Sequence, residues 1–162
     1  MDLNKLITTP RSLVLGALLA SPLALAQADM EPVNDLPNPY ITQSGYFKMP
    51  GGRAWGSSST VDIDIDGESV WIAERCGGNI NACVNNPDVN LVMLYDKEGT
   101  LVRSFGAGYI TWPHGIHVDY EGNVWIADAR GTDAISDYEG DDYGHQVHKF
   151  SPTGTHLMSL GR

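Results

Sequence analysis

Basic side chains are scarce in this chain: ten Lys and Arg stand against twenty Asp and Glu, for a formal net charge of −10. So few cations on so acidic a chain argue against binding nucleic acid or anionic lipid, both of which need clustered positive charge. There are two cysteines in 162 residues, too few for a disulfide-dense scaffold and too few for a thiolate zinc cage. Long apolar runs are missing too. Leu13–Ala20 is the strongest, and it is too short and too close to Pro22 to read as a membrane anchor. Apolar residues at helical spacing are absent from the rest of the chain, which excludes a helical bundle.

The apolar run has another meaning. Lys5 and Arg11 precede it, Leu23–Leu25 continue it, and small residues at Ala24, Ala26 and Ala28 offer cleavage sites. That is the pattern of a secretory signal peptide over 1–28, and it places the mature chain outside the cell or in a periplasm. Cys76 and Cys83 suit an oxidising compartment, where a close pair closes a disulfide across a loop. Residues 29–44, rich in proline, read as an extended linker.

From 45 to 162 the chain repeats. Val70-Trp71-Ile72-Ala73-Glu74 matches Val124-Trp125-Ile126-Ala127-Asp128, and Ile63-Asp64-Ile65-Asp66 matches Ile116-His117-Val118-Asp119 with one residue added in the second turn. Leu94–Thr100 corresponds to Lys149–Thr155, and Ser104-Phe105-Gly106 to Ser159-Leu160-Gly161. Alternating apolar residues predict four strands per unit: Val61–Ile65, Val70–Ala73, Leu91–Asp96 and Leu101–Phe105, then Gly115–Asp119, Val124–Ala127, Gln146–Ser151 and His156–Leu160. Repeats of about fifty residues, each a four-stranded meander, predict an all-β chain of two β-propeller blades, 57–108 and 109–162, in an incomplete ring. Tyr46–Met49 offers one further strand. Two blades leave apolar faces and strand edges uncovered, so further blades or self-association are expected to cover them.

Several residues invite chemistry. His114 sits between Pro113 and Gly115 at the start of an innermost strand, where an imidazole can serve a metal in the channel; the alternative is a histidine that packs or hydrogen-bonds. Arg75, beside Cys76, can hold a carboxylate; the alternative is a surface arginine paired with Glu74 or a loop carboxylate. Asp62–Gly67 opens like a calcium loop but has Ala73 where the twelfth-position glutamate belongs, so it reads as strand and turn. The acidic stretch Asp133–Asp142 reads as a solvated loop. His145 and His148 point to opposite sides of their strand and cannot form one site together. Trp71 and Trp125 occupy equivalent positions and read as blade packing.

With these residues in view, Trp112–Asp119, Gly122-Asn123-Val124-Trp125, Gly144–Phe150 and Leu160-Gly161-Arg162 resemble the NHL-repeat propeller of the peptidyl-α-hydroxyglycine α-amidating lyases. The resemblance implies a six-bladed propeller with a central zinc held by three histidines and a calcium held partly by backbone carbonyls. It implies cleavage of a peptidyl-α-hydroxyglycine to a peptide amide and glyoxylate. On this resemblance His114 is the first zinc ligand, Ile63 and Ile116 give calcium carbonyls, and Arg75 engages the substrate. The other zinc histidines, a catalytic tyrosine and the last calcium ligand of that family have no counterpart in these residues. The expected partner is a peptide or other small molecule, with no nucleic acid and no membrane after signal cleavage. Two alternatives stay open: an NHL propeller that only binds a protein or ligand, and a lactonase-like propeller hydrolase with a channel metal.

Overall fold

The computed structural model describes residues 35–136, 139–140 and 144–161. The 1–28 leader, Asp137, Asp141, Asp142 and Arg162 lie outside them. The chain divides into two units, Met1–Tyr40 and Ile41–Arg162. In the first, described residues 35–40 are exposed and without regular structure, and the Tyr40 N–H donates to Asn38 Oδ1 at 3.0 Å.

The second unit is nearly all β. Strands β1 (Ser58–Ile63), β2 (Val70–Glu74), β3 (Val92–Tyr95) and β4 (Leu101–Phe105) form one antiparallel meander, and β5 (Pro113–Val118), β6 (Val124–Asp128), β7 (Gln146–Phe150) and β8 (His156–Gly161) form another. Each sheet keeps its strands in sequence order, an arrangement consistent with an incomplete propeller. The helix α1 (Ala82–Asn85) is a single turn that carries Cys83, at the end of the loop between the two cysteines. No helix among the described residues is long and apolar enough to cross a membrane.

The period of two decides the packing. Trp71, Ala73, Val92, Leu94 and Phe105 share one face of the first sheet by register. They meet Val118, Val124, Ile126 and Phe150 on the facing side of the second, in one buried core. Phe105 stacks between Trp71 and Phe150 at ring distances of 5.4 and 5.1 Å, and Arg103 Nη1 donates to the Pro152 carbonyl at 2.7 Å across the sheets. Gly154 turns the β7–β8 hairpin at φ +93 directly over Phe105, where a Cβ would meet the ring at 2.6 Å.

The opposite face of the first sheet carries Ile72, Met93 and Tyr95, covered by Phe47 and Met49. Tyr46–Met49 was expected as a strand, and the structure corrects this. These residues lie across the sheet rather than along its edge, because Tyr95 anchors them: its hydroxyl donates to the Lys48 carbonyl at 3.0 Å and its ring meets Phe47 and Trp55. The Tyr46 hydroxyl donates to the Lys97 carbonyl on the next turn. A cleft of about 400 Å3 opens between Gln43, Tyr46, Phe47 and Trp55.

The repeat also needs one correction of register. Trp71 Nε1 donates to Asp64 at 2.8 Å and Trp125 Nε1 to Asp119 at 3.0 Å, and both aspartates accept the glycine N–H that closes the turn. Asp64 is therefore the counterpart of Asp119, and Val61, not Ile63, is the counterpart of Ile116. The first turn is the longer by one residue.

The Asp119–Trp125 clasp has a pH signature. Burial alone would raise the Asp119 pKa, but hydrogen bonds from Trp125, Asn123 and Lys149 outweigh it and hold the carboxyl well below the usual range. A depressed carboxyl means that the unfolded chain binds the proton first. The stability Asp119 contributes is complete above the unfolded value, about pH 4, and is lost as pH falls towards the folded one. Asp119→Asn is expected to flatten the acid limb of a Tm-against-pH curve below about pH 5; an unchanged slope would show that the clasp is not linked to protons.

Candidate functional site

Both sheets end their second strand in a buried carboxylate, and each carboxylate holds the loop that leads into the first strand of its sheet. Glu74 is fully buried, accepts the Gly56 N–H at 2.9 Å and the Gly77 N–H at 2.8 Å, and pairs with Arg53 Nη1 at 2.6 Å. Asp128 is 2% exposed and accepts the backbone N–H groups of Thr111 at 2.8 Å and Trp112 at 2.7 Å, with the Thr111 hydroxyl at 2.9 Å. Such a carboxylate replaces the water that loop N–H groups would otherwise need. It therefore fixes Trp112 and, through it, the course of Pro113 and His114.

Arg75 follows Glu74 in the chain but does not pair with it. The expected alternative of a surface arginine salt-bridged to Glu74 is overturned: Arg53 occupies that carboxylate, and Arg75 is 7% exposed. Its guanidinium carbon lies 3.9 Å above the Trp112 ring, Nη1 donates to Asn79 Oδ1 at 2.5 Å, and Nε donates to the Pro113 carbonyl at 3.5 Å. Trp112 Nε1 donates to the same Asn79 oxygen at 3.3 Å. Among the described residues no carboxylate faces Arg75. Burial lowers its pKa, yet a guanidinium stays charged in proteins.

His114 completes the group. Its exposed imidazole lies 5.4 Å from the Trp112 ring, centroid to centroid. One indole thus brings Arg75, from the end of β2, against His114, from the start of β5. The disulfide Cys76–Cys83 forms as expected and closes the loop that carries Asn79. A disulfide is compatible with an extracytoplasmic location.

The other expected residues fall as follows. Ile63 ends β1 and Ile116 lies within β5, on the two edge strands at the same side of their sheets. These strands are stitched by the Val118 N–H, which donates to Asp62 Oδ2 at 2.8 Å, and His117 adds a contact to the same oxygen at 3.4 Å. Asp62 is thereby committed to holding the sheets together. His145 pairs with Asp133 at 3.1 Å, whereas His148 lies buried beside β8. Among the described residues no three His, Cys, Asp or Glu side chains converge into a metal-holding group. His114 stands outside any such group among the described residues.

Trp112, Asn79, Glu74 and Asp128 escaped the sequence reading as site residues. Equivalence of Glu74 and Asp128 at the ends of matching strands was the signal that pointed to the last two.

No family model matches the chain. A "Probable peptidyl-alpha-hydroxyglycine alpha-amidating lyase pgal-1" of Caenorhabditis elegans is 26% identical over 111 residues, which are 68% of this chain and 24% of that protein. A solved structure of "the eukaryotic initiation factor" shares 9% identity at a TM-score of 0.29, over 70% of this chain and 34% of that one. The chain is distantly related to an amidating lyase, and it spans about a quarter, 24%, of that relative's length.

Proposed function

We propose that residues 45–162 are two blades of an exported NHL-repeat propeller, six-bladed in its complete form, that acts as an amidating-lyase-like enzyme on peptidyl-α-hydroxyglycines. One observation supports this above the others: a buried guanidinium, faced by no carboxylate among the described residues, and an exposed imidazole are held around one indole at the meeting of two sheets. The distant relationship to an amidating lyase points the same way.

In this reading Arg75 takes the substrate's glycine carboxylate in a two-point contact, since its planar fork matches a carboxylate and its orientation is set by Asn79 and Trp112. His114 supplies one ligand, with the others coming from further blades. A zinc ion bound there would polarise the substrate hydroxyl and ease loss of its proton. The reaction then forms the glyoxylate carbonyl as the carbon–nitrogen bond breaks and the departing nitrogen gains a proton. Ile116 and Ile63 are offered for a structural calcium through their carbonyls, with Val61 in the position equivalent to Ile116.

The test is elemental analysis of the chain and of the chain extended through its downstream reading frame, purified side by side from a periplasm. About one zinc more per extended molecule than per molecule of the shorter chain, lost in His114→Ala, is expected, together with amidating activity. No additional zinc in the extended protein would leave a propeller that only binds partners as the better reading.

A further inference from the structure

The two sheets are repeats, so a residue that blade packing requires should recur at the same register. At two positions of the second sheet the chemistry changes. His148 pairs with Ile126 and Ser159 as Met93 pairs with Ile72 and Ser104, and His156 pairs with Phe150 as Leu101 pairs with Tyr95. Met93 and Leu101 meet the packing demand in the first sheet with apolar side chains. In the second, two imidazoles stand in their place, and His148 is 2% exposed with its Nε2 buried and unpaired among the described residues.

The geometry points to a metal site. His148 Nδ1 lies 3.4 Å from His156 Nε2 and 3.0 Å from Ser159 Oγ, and His156 Nε2 lies 3.1 Å from the same oxygen. Donors bonded to one cation at about 2.0–2.1 Å and at angles of 90–110° are separated by roughly 2.9–3.4 Å. The three atoms therefore outline one face of a coordination shell. Tyr109 stacks on His156 at 4.4 Å and 19° and stands edge-on to His148 at 6.3 Å, which orients both rings. We propose that His148, His156 and Ser159 hold a divalent cation that prefers imidazole, zinc(II) or copper(II), with water completing the shell. Binding replaces the hydrogen bonds within the triangle: His148 keeps its proton on Nε2, His156 on Nδ1, and the serine hydroxyl stays neutral. Burial lowers the His148 pKa against the nearby charge of Asp128, with His156 lowering it further, so the ring is available as a neutral donor.

This site is separate from His114. Its ligands come from β7 and β8, whereas His114 is on β5, two and three strands away and so roughly 10 and 14 Å across the sheet.

Isothermal titration of zinc(II) into the full chain, with copper(II) electron paramagnetic resonance alongside, tests it. Binding is expected to survive His114→Ala and to weaken about ten-fold or more in His156→Gln; the copper spectrum should show two coupled nitrogens. His156 is part-exposed on an edge strand, and circular dichroism of the variant checks that its fold is kept. Unchanged binding in His156→Gln, a single coupled nitrogen, or no binding to the chain would overturn the site. Loss of binding in His114→Ala would overturn it as well, by assigning the metal to the other histidine.

Discussion

Replacing Asp128 with alanine is expected to lower the stability of the chain by about 3–5 kcal/mol, the cost of leaving buried groups without their charged partner. The carboxylate is 2% exposed and receives two backbone N–H groups and a hydroxyl, all from Thr111 and Trp112. Its removal strands both N–H groups where water does not reach. Asp128→Asn, which keeps one acceptor oxygen and the shape, should lose less than half as much. Denaturant midpoints give the energies, and amide exchange at Thr111 and Trp112 gives the location. A small loss in Asp128→Ala with protection intact would mean that the loop finds other acceptors. The effect should spread to function, because Trp112 is the surface against which Arg75 and His114 are placed.

The second large effect belongs to Arg75 and rests on the proposed lyase reading. Arg75→Lys keeps the charge but loses the flat fork and the stacking on Trp112, so kcat/KM of the complete enzyme is expected to fall by about a hundred-fold, or about 3 kcal/mol of transition-state stabilisation. A substrate amide lacking the glycine carboxylate should be as poor for the parent protein as for the variant. If both proteins distinguish the carboxylate equally well, the guanidinium does not hold it.

Strand positions were legible because alternation and repeat agree. Val70–Ala73 and Val124–Ala127 fall inside β2 and β6, and all eight strands lie close to their expected places. The first hairpin was harder. Asp64 and Asp66 both precede a turn, and sequence matching chose Asp66 as the partner of Asp119; the indole N–H of Trp71 settles on Asp64. Spacing to the tryptophan, seven residues in one repeat and six in the other, was the usable signal.

The site was legible only residue by residue. Arg75 and Trp112 are far apart in the chain, and their contact depends on the stacking of two sheets, which no local pattern encodes. His148 was weighed against His145, its neighbour in sequence. Its partners instead come from β8, where a register shift brings His156 beside Ser159. Cross-strand chemistry of this kind follows from register, and register follows from the core.

The segment with Phe47 and Met49 makes the two ends of this molecule unlike. One terminal face is stoppered by the chain's own aromatic residues. The other presents Trp125, Ala127, Val147, Met158 and Leu160, which stand where Trp71, Ala73, Val92, Arg103 and Phe105 stand in the covered sheet. The two faces are therefore chemically different surfaces: the first sheet already has its apolar cover from its own chain, whereas the second sheet shows the same register positions that, in the first, build the core between the sheets.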